Sequence, residues 1–534
     1  MKRLLAVALL IAAFMSLGAS AAKDDSRIFR IGVLSDAKNL NPYFGFQGTE
    51  TTVTGEVYDT LFTYDEVEGK LKGNIVSKWE TKDNYTWKMT INPGFTWSDG
   101  KPLRVDDVVY TYEMIIKNKF PGQMAILATF KSIKKIDDKS FEMTFTTPAV
   151  SNLRFAGTAI LIIPEHIWSQ VRQPRAFANL NPVGSGPMIL KEKVDGQYIV
   201  LEVRKDHPTR KYNFDAMELI VVRDQTMGIL SLKDGAFDFF DDRIPPQIAE
   251  DIKKNPNQYK NVKVDVNSTT SITTLMFNMR KAPYDNVNFR KAVALTIDSN
   301  KLIKTVLMGY GTVASPSLVM PFVEWANKNI KPIKADVNAA KKLLASAGFK
   351  DVDNDKFLET PDGKKLKMSI LCPNAGTAMT VAEYIAYGLR AVGINAVHTP
   401  MSGDALTNEY KGGQFDAGIA SLGFSEPRDM YFYYFHSSRG LLAEGRVSGF
   451  NYGGFNNPEF DELSTAMRSE NDETKQFTQL RRLQEIVADA YYQIPVYSAS
   501  NISLYRDDRF KGWTSVQGLT ILNLHTMRNL APVK

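Results

Sequence analysis

Residues 79–112 constrain the fold more than any other part of the chain, because strand and helix signals follow one another closely there. Apolar residues alternate with polar ones from Trp87 to Ile91, which is the two-residue period of a strand with one buried face. Asn-Pro-Gly at 92–94 turns the chain, Phe95 and Trp97 resume the alternation, and Ser-Asp-Gly at 98–100 turns it again. These signals predict two strands joined by a tight turn.

A helix signal follows the second turn. Asp106 can cap a helix, and Val109, Tyr112 and Ile116 then lie on one face of that helix. The change from a period of two to a period near four marks the boundary. Residues 79–112 therefore predict two strands that lead directly into a helix.

The same stretch resembles the signature of the family 5 extracellular solute-binding proteins, the peptide- and nickel-binding receptors of ABC importers. The matching features are a tryptophan at a strand end, the polar–aromatic alternation, the Gly-Phe-x-Trp-x-Asp-Gly turn at 94–100 and the acidic pair Asp106-Asp107. Leu40-Asn41-Pro42, Phe277-Asn278 and the segment NFRKAVALTID at 288–298 also resemble the family. Met188 departs from it, because the family commonly has a tyrosine there. The resemblance covers nearly the whole chain after residue 22.

The resemblance implies an α/β fold of the periplasmic binding protein-like type II class (cluster C). Such a protein is bilobal, and its first domain carries an extra inserted lobe. We expect a signal peptide at 1–21, domain I at 22–58, 176–272 and 498–534, the inserted lobe of domain I at 59–175, and domain II at 273–497. A chain of this length exceeds the ~250–300 residues at which a single core stops growing, which also favours several domains.

The N-terminus reads as an export signal. Lys2 and Arg3 precede an apolar run that is shorter than the ~20 residues a spanning helix needs, and small residues before Ala22 form a cleavage site. The only cysteine is Cys372, so no cysteine at the cleavage point is available for a lipid anchor and no internal disulfide can form. We expect a soluble periplasmic protein without a lipid anchor.

The charge argues against nucleic acid as a partner. The formal net charge is +6, and it falls to +4 when Lys2 and Arg3 are removed. The excess of Lys and Arg over Asp and Glu is dispersed, with no basic run beyond short pairs such as Lys341-Lys342. A nucleic-acid-binding protein requires a clustered basic face instead. The expected partners are a small-molecule or oligopeptide ligand and the permease subunits of an ABC transporter in the inner membrane, and we expect a monomer.

The resemblance also places a ligand site between the two lobes. In peptide-binding relatives an extended peptide is held partly by backbone hydrogen bonds, like a strand added to a sheet edge. Carried onto this sequence, the first-domain edge is Phe46-Gln47-Gly48. The second-domain edge is Ser421-Leu422-Gly423-Phe424.

The charged residues after the second edge leave the ligand open. In the peptide receptors an aspartate in this region pairs with the peptide α-amine, but this chain has Ser425 in the approximate position. Glu426 and Asp429 are the two candidates for an acid that takes over the role of that aspartate. If no acid takes this place, a peptide with a free α-amine would bury an unpaired ammonium group, which costs several kcal/mol of binding free energy. Arg428 either binds a carboxylate or phosphate of the ligand or pairs with a neighbouring acid.

Other motifs give weaker signals. Asp351 to Asp355 resembles the start of a calcium loop, but Lys356 stands where such a loop turns on glycine, which favours a solvated acidic hairpin. We expect most of the aromatic run 431–435 to lie in the core. Any of its rings that faces the cleft would be suited to stacking on a sugar or an aromatic group. The five histidines are scattered, with no pair at metal-ligand spacing. We expect no metal and no cofactor.

A secreted hydrolase is the rival class of protein, but the sequence lacks the catalytic motifs of such an enzyme. No Gly-x-Ser-x-Gly elbow occurs, and Ser35 to Lys38 has Ser-x-x-Lys spacing without its partner motifs. The sequence thus favours a receptor without catalytic residues that captures peptides or peptide-like solutes. Receptors for an oligosaccharide, an opine or another small anion, and a receptor that presents its ligand to a signalling partner, remain alternatives.

Overall fold

The computed structural model describes residues 25–44, 48–65, 67–148, 150–423, 427–470 and 472–533, without the side chains at positions 150, 427–429 and 473. The predicted signal peptide lies outside these ranges. In the part of the chain that is described, no helix is long and apolar enough to cross a membrane. Three short 3-10 helices occur there, at Asp25–Arg27, Pro174–Ala176 and Ser437–Arg439.

The first third of the chain contributes one strand to the large sheet and then builds a small sheet. Its elements are β1 (Ile28–Val33), α1 (Thr49–Val57), β2 (Phe62–Asp65), β3 (Lys70–Gly73), β4 (Val76–Thr81), β5 (Thr86–Ile91), α2 (Val105–Asn118), α3 (Pro121–Ile126), β6 (Phe130–Lys135), β7 (Ser140–Phe145), α4 (Val150–Ala159) and α5 (Glu165–Trp168). Strands β2 and β3 form a hairpin. The small sheet is antiparallel, in the order β4-β5-β7-β6.

Strand β5 confirms the first of the two strands predicted within residues 79–112, and Trp87 and Met89 are buried as the alternation requires. The second predicted strand is wrong. Phe95 and Trp97 are buried, but the described residues between β5 and α2 form no strand, and their one β-bridge is the isolated bridge of Thr96 with Pro102. Buried aromatic residues at alternate positions therefore belong here to a loop that is anchored by its side chains.

The helix is confirmed as α2, but Asp106 does not cap it. Asp107 caps it instead, because its carboxylate accepts a hydrogen bond from the backbone N–H of Arg104 (2.8 Å). The same carboxylate also accepts hydrogen bonds from Trp97 Nε1 (3.3 Å) and from the N–H of Glu165 (2.9 Å). Burial raises the pKa of the Asp107 carboxyl, although these three donors act against the rise. One buried carboxyl thus ties the turn to α2 and α5.

The next segment extends the large sheet. Its elements are β8 (Met188–Val194), β9 (Tyr198–Val203), β10 (Ala216–Val221), α6 (Gln225–Asp234), β11 (Phe239–Phe240), α7 (Pro246–Lys254) and β12 (Val262–Ser268). Strand β1 pairs in parallel with both β10 and β11. Strands β9 and β8 continue the sheet from β10 in antiparallel fashion.

The following segment alternates strands with helices. Its elements are β13 (Ser271–Phe277), α8 (Val287–Leu295), α9 (Ser299–Val306), β14 (Gly311–Thr312), α10 (Val337–Ser346), β15 (Lys367–Pro373), α11 (Ala378–Arg390), β16 (Asn395–Met401), α12 (Gly403–Gly412), β17 (Ala417–Gly423), α13 (Pro427–Phe435), β18 (Leu442–Ala443), β19 (Arg446–Val447), α14 (Pro458–Ser469) and α15 (Glu473–Ala490). The chain then returns through β20 (Gln493–Arg506), β21 (Phe510–Lys511), α16 (Leu524–Asn529) and β22 (Ala531–Pro532).

Strand β20 joins the two parts of the large sheet. Its residues 493–497 pair with β13, and its residues 500–506 pair with β12, with β11 alongside. We call the part built on β1 and β8–β12, together with the small sheet, the first lobe. The part built on β13, β15–β17 and residues 493–497 is the second lobe. The residue limits given above for the domains stay a prediction.

The second lobe has a helix layer on each face of its sheet. Helices α8–α11 bury Phe289, Leu302, Leu344 and Ile385 in one core. Helices α12–α15 bury Leu406, Tyr431, Phe460 and Leu483 in another core. Met368 and Ile370 of β15 belong to the first core and Leu371 to the second, as the alternation of a strand requires.

Candidate functional site

Parallel strands end on one side of the sheet in each lobe. In the first lobe these ends are Val33 of β1, Val221 of β10 and Phe240 of β11, and in the second lobe they are Pro373 of β15, Met401 of β16 and Gly423 of β17. Open α/β sheets bind ligands just beyond the carboxyl ends of their parallel strands. The segments that follow these ends therefore form the candidate site.

Gly48 is the described member of the predicted first-lobe edge. It is exposed and lies directly before α1, with a φ of 81°. A Cβ at this position would be 3.3 Å from Ser35 Oγ, and the Ser35 carbonyl accepts a hydrogen bond from Thr49 Oγ1 (2.6 Å). Gly48 thus lies beside the end of β1, where a positive φ favours glycine. Phe46 and Gln47 lie outside the described residues.

Ser421, Leu422 and Gly423 form the last residues of β17. On one side they pair with β13, where Ser271 lies opposite Gly423. On the other side the pairing with β15 ends at Gly418. Among the described residues, no strand covers that side of β17 beyond Gly418, so an open sheet edge leads to the end of the strand.

The side chains of this second edge differ in what they offer a ligand. Ser421 and Gly423 are exposed, and Ser421 Oγ lies 2.9 Å from Ser271 Oγ. Leu422 is only 2% exposed, because its side chain packs in the core with α12–α15. Leu422 therefore presents only its backbone to a ligand, which matches the predicted mode of recognition.

The charged segment after this edge is described only in part. Phe424, Ser425 and Glu426 lie outside the described residues, and the side chains of Arg428 and Asp429 do as well, although their backbone begins α13. Their roles therefore stay predictions.

The aromatic run 431–435 within α13 was predicted to be mostly core, but only two of its five residues are buried. Tyr431 and Phe435 are fully buried, and the Tyr431 hydroxyl donates to the carbonyl of Ser317 (2.7 Å). Phe432 is half-buried, and the guanidinium of Arg468 lies 4.4 Å from the centre of its ring. The outer side of α13 thus combines aromatic and cationic groups near the end of β17.

The two lobes are joined by neighbouring crossings. Thr269 lies between β12 and β13, and Ser498 lies inside β20. Ser498 Oγ is 3.1 Å from Thr269 Oγ1 and donates to the Thr269 carbonyl at 3.1 Å. Small hydroxyl residues thus hold the crossings together, with no large side chain between them.

Asp241 and Asp242 follow the end of β11 and were not singled out in the sequence. The N–H of Asp241 donates to the Gly32 carbonyl (3.0 Å), which holds it beside β1. Its side chain is exposed, yet burial raises the pKa of its carboxyl, and the charge of Asp242 adds to the rise. Solvent reaches the group while protein on several sides removes part of its hydration, as in a concave surface. The sequence signal that could have indicated these two acids is their position directly after a short apolar strand.

A buried ionic network inside the first lobe was also missed. Asp59 is fully buried, and its carboxylate accepts hydrogen bonds at 2.9–3.1 Å from Asn74 Nδ2, Ser185 Oγ, His207 Nε2 and Arg210 Nη2. These donors lie after β3, before β8 and after β9. The network therefore fastens the β2–β3 hairpin to the large sheet.

Electrostatics keep Asp59 ionised despite its burial. Burial alone would raise the pKa of its carboxyl, but the charge of Arg210 and the hydrogen bonds from His207 and Asn74 outweigh it, so the pKa lies below its ordinary value. The nearby Glu56 shows the opposite balance: burial raises its pKa although Arg210 and the Tyr212 hydroxyl lower it. The network is a structural element, since Asp59, Ser185 and His207 at its centre are fully buried.

The candidate calcium loop has the geometry of a charged hairpin. Asp351, Asp353 and Glu359 bring carboxylate oxygens within 4.8 Å of one another. Lys365 Nζ lies 2.6 Å from a carboxylate oxygen of Asp353 and 2.7 Å from one of Asp355, and Glu359 accepts a hydrogen bond from the N–H of Val352. An ammonium group thus already pairs with Asp353, one of the three carboxylates that could share a cation.

Comparison with known proteins places this architecture in a family. The model of the bacterial extracellular solute-binding proteins, family 5 Middle, matches residues 70–440. The chain is 25% identical to the oligopeptide-binding protein AppA of Bacillus subtilis over 491 residues, which cover 89% of this chain and 87% of the relative.

Solved structures share the fold along almost the whole chain. A periplasmic oligopeptide-binding protein of Thermotoga maritima has a TM-score of 0.81 at 22% identity, covering 96% of this chain and 100% of that one. A mannohexaose-bound structure of the same name has a TM-score of 0.72 at 22% identity, covering 96% and 99%. The predicted bilobal type II fold is thereby confirmed. From its fold, its open edge beside two crossings and its match over residues 70–440, the chain belongs to the bacterial extracellular solute-binding proteins of family 5.

Proposed function

We propose that this protein is a periplasmic receptor that captures peptides or peptide-like solutes between its two lobes and delivers them to an ABC import permease. Membership of a solute-binding family supports capture without chemical conversion. The relative in Bacillus subtilis is named for oligopeptides, which favours that ligand class.

The open edge of β17 is the observation that carries this proposal. An uncovered strand edge presents backbone N–H and C=O groups that lack partners, and an extended peptide satisfies them by adding as a further strand. Ser421 and Gly423 are exposed at this edge, and Leu422 has turned its side chain into the core. We assign the opposite contact to Phe46, Gln47 and Gly48, with Phe424 extending the second edge.

Closure follows from the position of the crossings. We assign domain I to 22–58, 176–272 and 498–534 with its inserted lobe at 59–175, and domain II to 273–497, so that Thr269 and Ser498 lie at the two boundaries. A ligand that contacts both lobes binds the closed form better than the open one, and it shifts the population by that difference in affinity.

The remaining assignments follow from the N-terminal sequence and from membership of the family. An N-terminal signal peptide at 1–21 without a lipidated cysteine corresponds to a receptor that is free in the periplasm. We assign it a monomeric state, permease subunits of the inner membrane as its partner, and no catalytic activity, cofactor or metal.

A non-peptide solute is the second candidate. The mannohexaose-bound structure from Thermotoga maritima belongs to a protein named for oligopeptides, and it has the same fold as this chain. The aromatic and cationic side of α13 suits a sugar or a small anion, because flat rings stack on sugars and guanidinium groups bind anions.

Mass spectrometry of the solute that co-purifies with the native protein tests the proposal. The solute is then titrated in a thermal-shift assay, where a concentration 100-fold above its Kd adds about 2.7 kcal/mol of apparent stability. A bound peptide supports the first candidate, and an oligosaccharide or small anion supports the second. Protein that neither carries nor is stabilised by any solute in a broad screen, or that hydrolyses one at an enzyme-like rate, overturns both.

A further inference from the structure

The positive charge of the chain is not dispersed, contrary to the expectation from sequence. Residues 287–346 contain nine Lys and Arg against three Asp and Glu, whereas the other 474 residues contain 56 of each, so the whole net charge of +6 lies in this segment. Eight of the nine are lysines with exposed side chains. They form what we call the lysine face: Lys291, Lys301, Lys304, Lys328, Lys331, Lys334, Lys341 and Lys342.

Except for Lys328, which follows a residue hydrogen-bonded to α15 (Asn327 N–H to Gln484 Oε1, 2.7 Å), the fold brings these lysines to one side of the second lobe. They lie on α8, α9 and α10 and on the loop before α10, and the three helices pack their apolar sides into the same core. The N–H of Asp336 donates to the Leu295 carbonyl (2.8 Å), which fixes the end of the loop against α8. None of the eight ammonium groups forms an ion pair with a carboxylate of the described residues.

The opposite helix layer of the same lobe carries the reverse charge. Residues 458–490, which contain α14 and α15, hold eight Asp and Glu against four Lys and Arg. Arg482 is paired there with Glu459 (2.6 Å) and Glu485 (3.3 Å). The two layers are about 20 Å apart, since each lies about 10 Å from the sheet between them.

We propose that the lysine face docks the second lobe onto an anionic membrane surface. A lipid surface is favoured because the basic groups are spread over the outer sides of packed helices and are lysines, whose compact charges suit diffuse attraction more than the bidentate recognition of one anion that arginine provides. At a Debye length of about 8 Å, the acidic layer about 20 Å away is screened from that surface. The second lobe therefore binds with its lysine face toward the membrane and its acidic layer away from it.

Exposed apolar side chains among the lysines support a lipid partner. Val287 and Val337 begin α8 and α10, Met308 follows α9, and all three are about two-fifths exposed. Tyr387 on α11 is 70% exposed, and the next residue, Gly388, lies close to the Thr296 carbonyl at the end of α8. Basic residues interspersed with aliphatic and tyrosine side chains are typical of surfaces that rest on lipid head groups.

Co-sedimentation of the full chain with vesicles tests this inference. The probes are phosphatidylcholine vesicles with and without about 30% phosphatidylglycerol, at about 50 and about 500 mM NaCl. We expect binding to the anionic vesicles at low salt only. Lys291→Gln, Lys334→Gln, Lys341→Gln and Lys342→Gln together lower the partition coefficient by about tenfold or more, because each basic residue at such a surface contributes about fivefold.

A matched variant controls for net charge. Lys78, Lys88, Lys131 and Lys134, each changed to Gln, remove the same charge from the small sheet, where Glu80 and Glu142 lie opposite Lys88. We expect less than about a twofold loss from this control, and retention of binding when the four lysines of the lysine face become Arg. Residues 1–24 are the same in every variant, so their contribution cancels.

Three outcomes would overturn the inference. They are no binding of the wild type to anionic vesicles at low salt, equal binding to neutral vesicles, and equal losses in the two Lys→Gln variants. Far-UV circular dichroism and the unfolding midpoint check that the variants fold. The solute-induced thermal shift stays unchanged in all variants, so a failure here leaves the proposed function untouched.

Discussion

The two lobes stabilise their interiors in different ways. In the first lobe, oppositely charged side chains lie together in the interior: the Asp59 carboxylate pairs with Arg210 and also accepts a hydrogen bond from His207. In the second lobe the buried Arg290 forms no ion pair with a carboxylate of the described residues and donates instead to the carbonyls of Ala490 (2.7 and 3.0 Å) and Tyr284 (2.8 Å). Apolar side chains form most of the remaining core, together with neutral polar groups such as Thr274, whose hydroxyl donates to Gln493 Oε1 (2.8 Å).

This difference predicts where each lobe is vulnerable. Backbone carbonyls do not titrate, and apolar packing does not depend on pH, so the second lobe should respond to pH only weakly. The buried carboxylates of the first lobe change protonation between folded and unfolded chains, and the removal of one partner leaves an uncompensated charge. Substitutions and pH therefore test the contrast directly.

The largest effect is expected from Asp59→Ala. It leaves Arg210 and His207 buried without their carboxylate, and breaking a buried pair in this way typically lowers the free energy of unfolding by about 3–5 kcal/mol. Because the pKa of Asp59 is depressed in the fold, its contribution is present above the ordinary aspartate pKa and is lost as the pH falls below it. The difference between wild type and variant should therefore shrink on acidification.

Urea unfolding followed by tryptophan fluorescence measures this change. Five of the six tryptophans, all except Trp325, lie in the first lobe or pack against its strands, so the signal reports mainly on that lobe. Glu409→Ala removes an exposed acid of α12 in the second lobe and should change the free energy by less than about 0.5 kcal/mol. Similar small effects at both positions would show that the buried network contributes little.

Asp238 gives the same lobe a pH dependence of opposite sign. It is fully buried between β1 and β20, it accepts a hydrogen bond from the N–H of Arg30 (2.8 Å), and its other carboxylate oxygen has no hydrogen-bond partner among the described residues. Burial raises the pKa of Asp238 to about 6, although Arg509 at 3.7 Å lowers it. The unfolded chain therefore loses this proton first as the pH rises.

Stability from this group is present below about pH 4 and is lost as the pH rises through about 6. The Asp238→Asn variant lacks this titration. From pH 4 to pH 7 we expect the wild type to lose up to about 3 kcal/mol relative to the variant, at about 1.4 kcal/mol per pKa unit. Parallel stability curves of the two proteins over this range would contradict the assignment.

The sequence predicted most of the architecture because its signals are local. Trp87 and Met89 show the two-residue period of a strand, and that period depends only on which face is buried. Phe95 and Trp97 show the same spacing in a loop, since Asp107, ten residues further on, holds Trp97 by a hydrogen bond. Alternation reports burial, and it does not report whether a neighbouring strand is available for pairing.

The buried network and the lysine face could not be found in the same way. Asp59 meets partners 15 to 151 residues away, and no local pattern encodes such a contact. The charge of residues 287–346 is visible as a count over a long window, but as runs of adjacent residues it gives only the pairs Arg290-Lys291 and Lys341-Lys342. The proposed edges came from family resemblance, since recognition by backbone leaves little trace in side chains.

Arg428→Ala tests for a ligand charge on the second lobe. If Arg428 binds a carboxylate, its loss removes a hydrogen bond to a charged group, worth about 1.5–3 kcal/mol, and weakens binding of an acidic tetrapeptide by about tenfold or more. Titration calorimetry measures this change. Arg446→Ala, at an exposed position of β19 in the same lobe, should leave the affinity unchanged. Unchanged affinity in Arg428→Ala would remove that residue from the site.

The smallest effect is expected from Asp241→Asn in the first lobe. The exposed carboxylate beside the end of β1 should attract a cationic ligand through water, and such a pair at about 4 Å contributes about 1 kcal/mol, or roughly fivefold in affinity. The substitution should therefore weaken binding of a lysine-containing tetrapeptide and leave an uncharged one unaffected. Because the pKa of Asp241 is raised, its charge forms later as the pH rises, so the preference for the cationic peptide should grow from acid toward neutral pH. Glu80→Gln on the small sheet is the matched control. A preference that is the same in Asp241→Asn and wild type, at every pH, would leave Arg428 and the acids Glu426 and Asp429 as the charged residues proposed for the site and place ligand charge recognition on the second lobe alone.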